Sequence, residues 1–367
     1  MRKPWRIFIS IPSELSSSFP KHLRKSRKPT KRRRRMPEFR QNMVSKEWVI
    51  IAPERAKRPD QFIQKKEKGN PLSSHRKDCP FCPGNESMTP PPVFTIERNG
   101  SWSLRVVPNK FAALQSHLTT ERKHEGRFLK ADGFGMAEVI VESPFHSRTI
   151  ATMDLEEVRN TVLTYRERYL ALSEVDRLDL ITIFRNYGEK AGTSLEHPHS
   201  QIIATPIVPP HVRNSLYQSQ LACDTFGDCI YCGMMEEELH QKVRVVKETE
   251  RFLVLCPFAS RSPFEIRIYP KTHHSSFATV SDRELDDLAS VLQDTLKRLS
   301  IGLNDPDYNY IIRSTPIKDG EVKYHHWYLV IVPKLTTPAG FEIGTGIYIN
   351  TTPPEQCAEF LRGVQTG

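Results

Sequence analysis

The sequence predicts an α+β fold built from two copies of one unit, and three observations predict it. A Cys-x-x-Cys pair occurs twice, as Cys79-Pro80-Phe81-Cys82 and Cys229-Ile230-Tyr231-Cys232. Behind each pair, strands, a helix and a further strand follow in the same order at nearly the same spacing. Each series then closes on a histidine, His197 or His326, at the head of an apolar run. An order matched over more than a hundred residues marks an internal repeat. Strands that follow one another through short turns point to antiparallel meanders.

Taken in order, residues 1–36 are rich in Ser, Pro and Arg and read as a disordered basic tail. Trp48 to Pro53 reads as a strand, and Gln64 to Lys77 as polar loop. In the first copy, Cys82 is followed 26 residues on by Pro108 at a strand end, then by the strand Glu138–Val141, by His146 eight after Glu138, and by Asp154 eight after that. In the second, Pro257 lies 25 after Cys232, and Glu265, His273 and Ser281 keep the same steps of eight. Asp154-x-x-Glu157 and Ser281-x-x-Glu284 are capping boxes that open helices. Apolar stripes at helical spacing, Leu155, Val158, Val162, Tyr165, Tyr169 and Leu285, Leu288, Leu292, Leu296, Leu299, are core positions. Each helix leads to a strand, Leu180–Asn186 and Tyr308–Arg313, and the units close at His197 and His326. The step from Pro to Glu is thirty residues in the first copy and eight in the second, so Gln115–Phe134 is an inserted loop. The domains are therefore the tail 1–36, a first unit 37–215 and a second unit 216–367.

The net charge of +10 resembles that of a nucleic-acid binder, but its distribution argues otherwise. Residues 1–36 hold thirteen Lys and Arg against Glu14, a net of +12, which leaves −2 for residues 37–367. A basic footprint is confined to the tail, which is dispensable, a contact for an anionic surface, or a targeting segment, with Met36 as an alternative start. No apolar run reaches membrane-spanning length and no secretory signal is evident, so a soluble, cytoplasmic protein is expected. In that setting paired cysteines suit metal or redox chemistry better than disulfides, and Cys223, Cys256 and Cys357 read as ordinary buried or surface residues.

A single Cys-x-x-Cys is equally compatible with redox chemistry or a plain surface turn. Two such pairs, each with later histidines at parallel offsets, point to zinc. Cys79, Cys82, His146 and His197, and Cys229, Cys232, His273 and His326, each form a complete set of two thiolates and two imidazoles with no open position, the mark of a structural site. His274 and His325 compete with their neighbours in the second set, and strand alternation does not separate them.

In Glu196-His197-Pro198-His199-Ser200-Gln201-Ile202-Ile203-Ala204, alternate residues share a strand face. His197, His199 and Gln201 would point one way, and Pro198, Ser200 and Ile202 the other, making one face chemical and the other packing. With His197 on metal, His199 is free to act as nucleophile or base, and the Gln201 amide to donate to an anionic oxygen. The second copy has Tyr328 and Val330 at the corresponding places, so one reactive centre per chain is expected.

His-Pro-His-Ser-Gln, preceded by Asn186-Tyr187-Gly188, Gly192-Thr193-Ser194, Cys-Pro-Phe-Cys and Arg55-Ala56-Lys57-Arg58-Pro59, resembles the galactose-1-phosphate uridylyltransferase family, the transferase branch of the histidine-triad superfamily. The resemblance covers residues 40–365 and implies a duplicated histidine-triad-like unit and a homodimer. It implies ping-pong transfer in which His199 attacks the α-phosphorus of a nucleotide sugar, a sugar 1-phosphate departs, and a second sugar phosphate takes up the nucleotide. Gln201, Ser194, Thr193 and backbone near Gly192 would grip phosphoryl oxygens, and Asn186 would contact phosphate. Arg55, Arg58 and Asn109 would contact nucleotide, and Gly340, Phe341 and Glu342 the sugar. Blander roles for these are surface charges for the arginines, a turn for Asn109 and a solvated carboxylate for Glu342. The resemblance also selects His146, His273 and His326 as metal ligands.

UDP-glucose is the leading donor by family. Members acting on UDP-sugars have Asn-Asp-Phe where Asn109-Lys110-Phe111 stands, Gly where Ser200 stands, and Lys-Phe where Pro338-Ala339-Gly340 precedes the glutamate. His-x-His-Ser-Gln and Gly340-Phe341-Glu342-Ile343-Gly344-Thr345-Gly346 resemble instead the ADP-glucose phosphorylases. Two further readings are a zinc-stabilised nucleic-acid binder using the tail and a histidine-triad hydrolase, against which Gln201 argues.

Overall fold

Both helix starts are closed by the chemistry that marked them in the sequence. The Asp154 amide donates to Glu157 Oε2 at 3.0 Å, and the Ser281 amide to Glu284 Oε2 at 2.8 Å. The computed structural model describes residues 36–53, 62 and 73–366. The basic tail, Arg55 and Arg58 lie outside the described residues.

The described chain begins with β1 (Glu38–Gln41) and β2 (Trp48–Ile51). The first unit continues through β3 (Phe94–Arg98), β4 (Ser101–Pro108), β5 (Arg122–Glu125), β6 (Phe128–Ala131), β7 (Met136–Val141), α1 (Leu155–Ser173), β8 (Leu180–Tyr187) and β9 (His199–Thr205). Helices α2 (Pro210–Phe226) and α3 (Ile230–Gln241) lead into the second unit. It comprises β10 (Val245–Glu248), β11 (Phe252–Leu255), β12 (Ile266–Pro270), α4 (Asp282–Leu303), β13 (Tyr308–Arg313) and β14 (Tyr328–Pro333). The chain closes with α5 (Gly340–Thr345), β15 (Tyr348–Asn350) and α6 (Pro354–Gly363).

Ten strands form one sheet in the order β10-β11-β12-β14-β13-β8-β9-β7-β4-β3, antiparallel throughout. Outward from its centre the order is β8, β9, β7, β4, β3 on one side and β13, β14, β12, β11, β10 on the other. That is the predicted repeat, laid out with the two copies meeting edge to edge at β8 and β13. Cross-strand partners share a face, and Gln201, Phe184, Ile311 and Val330 pair in one row across the centre. Gln201 and Val330 therefore occupy matching places in the two copies.

The other face is covered by α1 and α4, bridged at their surface by Arg159 and Asp286 at 2.5 Å. Val158, Val162, Leu288, Leu292 and Leu296 from the helices join Ile140, Ile183, Ile202, Ile268 and Ile331 from the strands in one core. The stripe on α1 starts one turn later than its periodicity predicts: Leu155, in the first helical turn, is 48% exposed. Within the inserted loop, Arg122–Glu125 and Phe128–Ala131 pair as an exposed hairpin.

The back of β9 is not the plain packing surface its alternation suggests. Ser200 is buried and donates its hydroxyl to Glu142, which also accepts from the Tyr165 hydroxyl at 3.3 Å and forms an ion pair with Arg185. Tyr165 in turn contacts Tyr310 OH at 2.5 Å. A carboxylate and a guanidinium inside a helix-covered sheet are tolerable only when each meets the other and neighbouring hydroxyls complete the set. Arg185→Met leaves Glu142 buried and unpaired, and is expected to lower the unfolding free energy by about 3–5 kcal/mol. Tyr165→Phe should cost about 1 kcal/mol. Urea denaturation of the two variants checks the order, and a smaller loss for Arg185→Met contradicts it.

Candidate active site and metal centres

The first Cys pair sits in turns between β2 and β3, while Cys229 caps α3 and Cys232 lies in its first turn. Unlike local structures thus deliver the same ligand set. The ligand atoms of Cys79, Cys82, His146 and His197 lie within 4.8 Å of one another, and so do those of Cys229, Cys232, His273 and His326. In each, both imidazoles turn Nδ1 toward a sulfur: Cys82 Sγ is 3.5 Å from His146 and 3.6 Å from His197, and Cys232 Sγ is 3.3 Å from His273 and 3.8 Å from His326. Nε2 of His197, His273 and His326 is engaged by the carbonyls of Ser143 at 2.8 Å, Val322 at 3.1 Å and Pro270 at 2.8 Å. His146 Nε2 faces Glu196 at 3.8 Å. Outer partners that orient the ring and fix its tautomer are what a metal-binding imidazole requires; three of the four rings have one, and the residues fit a tetrahedral ion. Of the rival histidines, His274 faces Glu284 at 3.5 Å and His325 is buried apart from the cluster.

His199 opens β9 directly beyond the first cluster. Its Nδ1 lies 2.8 Å from the carbonyl oxygen of His197. A carbonyl can only accept, so Nδ1 carries the hydrogen and Nε2 the lone pair. The Phe81 ring, from the Cys-x-x-Cys turn, packs 5.4 Å from the imidazole. Burial, with the Arg185 charge behind the strand, pushes the His199 pKa down to about 4 against the opposing pull of the His197 carbonyl. The ring is therefore neutral and nucleophilic near pH 7. Gln201 is two residues along the same face.

The loop before this strand is shaped by Gly188 and Gly192, at φ 84° and 85° around a short 3-10 turn. Asp307 accepts the Lys190 amide at 2.8 Å, and a Cβ on Gly188 would lie 2.2 Å from Asp307 Cγ, so position 188 has room only for glycine. Asn309 Nδ2 donates to Asn186 Oδ1 at 2.8 Å and to the Ala191 carbonyl at 2.9 Å, tying the loop to β13. With its oxygen committed, Asn186 offers its NH2. Thr193 bonds the Leu195 carbonyl at 3.0 Å, and Ser194 is exposed.

Other sequence candidates stand apart. Asn109 Oδ1 accepts the Phe111 amide at 3.0 Å, the turn role. Gly340 opens α5, Phe341 is exposed, and Glu342 accepts the Ala339 amide at 3.0 Å. Glu342 lines a cavity to which His199, Gln201, Asn186 and Gly192 to Ser194 do not contribute. Sequence reasoning passed over Glu142 and Arg185 behind His199, and read Tyr165 as plain core rather than as their hydrogen-bonding neighbour. Arg185, a charge inside an apolar strand, was the available signal.

The sequence profile described as "Galactose-1-phosphate uridyl transferase, N-terminal domain" matches residues 27–209, and a domain of unknown function, DUF4921, matches residues 149–363. The chain belongs to the galactose-1-phosphate uridylyltransferase family, a family of nucleotidyl-transferring enzymes. It is 38% identical over 334 residues to an ADP-glucose phosphorylase of Arabidopsis thaliana, covering 89% of this chain and 93% of that one. It is 30% identical over 337 residues to a galactose-1-phosphate uridylyltransferase of Thermotoga maritima, covering 89% and 98%. The crystal structure of an Arabidopsis thaliana ADP-glucose phosphorylase with bound ADP-glucose superposes with a TM-score of 0.77 at 36% identity, over 90% of this chain and 99% of that one. A uridylyltransferase structure gives 0.69 at 26% identity, over 89% and 97%.

Gly188→Ala combines positive φ with the Asp307 clash, whereas Gly192→Ala carries the backbone term alone, because nothing lies within 4 Å of its Cβ. The second is expected to cost about 1–3 kcal/mol and the first more, read by urea denaturation. Equal losses would remove the close-approach argument.

Proposed function

We propose that the chain transfers a nucleotidyl group from a nucleotide sugar to a phosphate acceptor through a covalent intermediate on His199. The observation that carries this is the His199 imidazole, held neutral with Nε2 as its free nitrogen. Nε2 bonds to the α-phosphorus, the bond from that phosphorus to the bridging oxygen breaks, and sugar 1-phosphate leaves with the electron pair. An acceptor phosphate oxygen then attacks the same phosphorus and returns His199 to its starting state. The Gln201 amide, the Asn186 NH2 and the backbone around Gly192 would stabilise the phosphoryl oxygens. Sugar phosphate is a good leaving group, so glutamine in place of a proton donor suits transfer better than hydrolysis.

ADP-glucose is the donor best supported, ahead of the UDP-glucose that family membership first suggests. The identity to the Arabidopsis thaliana phosphorylase, 38% against 30% for the Thermotoga maritima transferase, favours it, as do Ser200 and the Gly340–Gly346 segment. In that reading the acceptor is inorganic phosphate and the products are glucose 1-phosphate and ADP. Both Cys2His2 clusters are assigned to structural zinc, since four protein ligands leave no open position for substrate. Phe341 and Glu342 serve as sugar contacts only in a homodimer, where a second copy can bring them to His199. Arg55, Arg58 and Asn109 are retained as nucleotide contacts on the resemblance alone. Seven free cysteines, four of them in the two candidate ligand sets, suit the reducing cytoplasm.

Wild-type enzyme mixed with ADP-glucose labelled in the α-phosphate should acquire acid-labile label, UDP-glucose should give much less, and His199→Asn none. Label retained on His199→Asn, or absent from the fully metal-loaded enzyme with either donor, defeats the mechanism. Metal analysis should give two zinc ions per chain in the wild type and one in Cys82→Ser, whose labelling rate should fall about 10–100-fold. An unchanged rate with the first zinc gone would separate metal from catalysis.

A further inference from the structure

The two Cys pairs reach the same ligand geometry from unlike backbones, and only the second is held by a helix. Cys229 caps α3 and its carbonyl accepts the Gly233 amide at 3.1 Å, so the helix itself fixes that pair. Cys79 and Cys82 lie in turns, where the Cys82 amide meets the Cys79 carbonyl at 3.2 Å. Such a turn sets its sulfurs only as firmly as its carbonyls are tied down. Asn85 Nδ2 ties one, donating to the Cys79 carbonyl at 2.8 Å. The Pro80 carbonyl is taken by Arg105, whose Nη2 donates to it at 2.9 Å.

Arg105 stands on β4 and is 2% exposed. Three other arginines are buried among the described residues, and each pairs with a carboxylate: Arg40 with Glu355 at 2.8 Å, Arg244 with Glu238 at 2.8 Å, and Arg185 with Glu142. Arg105 has no such pair among the described residues. Its Nη1 donates to Thr89 Oγ1 at 2.9 Å, and its guanidinium lies 5.1 Å from the centre of the Trp102 ring. A buried guanidinium without a carboxylate is costly, and the negative groups that bear on this one are Glu86 and the Cys79 sulfur. Glu86 is committed to Trp102 Nε1 at 2.7 Å. Charge and hydrogen bonding therefore both direct Arg105 at the Cys-Pro-Phe-Cys turn.

The sheet register links that turn to His199. Arg105 pairs with Val141 and Val141 with His199, so the three stand in one row on one face, with Arg105 two strands, about 10 Å, from His199. That distance keeps it off the reacting atoms. The turn it holds is nearer, since the Phe81 ring packs 5.4 Å from His199 and 6.0 Å from His197. In the second copy the same row runs from Tyr328 through Tyr269 to Leu253, which is buried in one cluster with Cys229 and Tyr231. Where a helix fixes the Cys pair a leucine stands, and where only turns do, an arginine.

We propose that Arg105 is a positioning residue, which pins the Cys-Pro-Phe-Cys turn through Pro80 and so sets the first pair of sulfurs against His146 and His197 and the Phe81 ring against His199. This rests on the zinc reading of the first cluster and, for its effect on rate, on His199 as nucleophile.

Zinc release from the full-length, two-zinc protein to a chromophoric chelator tests the first part. Arg105→Met should release one of its two ions about tenfold faster than wild type and the other at the wild-type rate. Arg105→Lys keeps the charge but offers one nitrogen in place of a two-pronged guanidinium, so its faster ion should fall between the two. In a Cys82→Ser background, which holds only the second ion, neither change should alter release. Both ions released faster by the same factor, wild-type rates in every variant that folds, or an effect that persists in Cys82→Ser overturns the proposal. The zinc-loaded variants should also label His199 more slowly at saturating ADP-glucose, about tenfold for Arg105→Met, with half-saturation at the wild-type donor concentration. Label at the wild-type rate, or weakened donor binding, overturns the link to His199. Failure of the earlier readings shows instead in the wild type, as absent zinc or absent label.

Discussion

The hydrogen bond from His199 Nδ1 to the carbonyl of His197 decides what the rest of the site can do. It fixes the tautomer, aims the ring and leaves the lone pair on Nε2. It forms between residues only two positions apart, so its geometry depends on how rigidly the start of β9 is held. Two unrelated constraints hold that segment. In front, His197 joins Cys79, Cys82 and His146 and gives its second nitrogen to Ser143. Behind, Ser200 is fastened to Glu142, itself paired with Arg185. His199 sits between a cluster of four candidate metal ligands and a buried ionic network.

Duplication explains why such an arrangement exists once and not twice. The mirrored strand order around β8 and β13 shows that both copies kept the sheet, the helix and the ligand set. Each copy brings two cysteines and two histidines together, whether or not it carries a His199. The counterparts of His199 and Gln201, Tyr328 and Val330, carry neither an imidazole nor an amide. The sheet face around Tyr328 and Val330 borders a cavity of about 380 Å³ lined by residues of both units.

Much of this was legible in the sequence because its signals are periodic. Steps of eight residues, two capping boxes and alternate histidines all report local geometry, and the repeated order of strands, both long helices and the cysteine pairs with their candidate histidines followed from them, while the choice of His273 over His274 and of His326 over His325 came from the family resemblance. What was not legible depends on long-range pairing. Ser200 has the alternation of a packing residue, and only the approach of Tyr165 and Glu142 turns it into a hydrogen-bonding group. Asn186 reads as a phosphate contact, yet its oxygen is occupied by Asn309, 123 residues away. Leu155 follows the helical period and is nevertheless exposed, because periodicity does not record where the neighbouring surface ends. Glu342 resembles a sugar ligand by motif, but within one chain it faces the second copy's cavity.

The most direct test of the account is the bond that His199 forms. Enzyme carrying nitrogen-15 in its histidine rings, treated with a nucleotide-sugar donor and examined by nitrogen and phosphorus NMR, should show phosphorus coupled to Nε2 of His199, with Nδ1 still protonated. Coupling to Nδ1, or to any other histidine, would mean that the His197 carbonyl does not set the reacting nitrogen and would contradict the account.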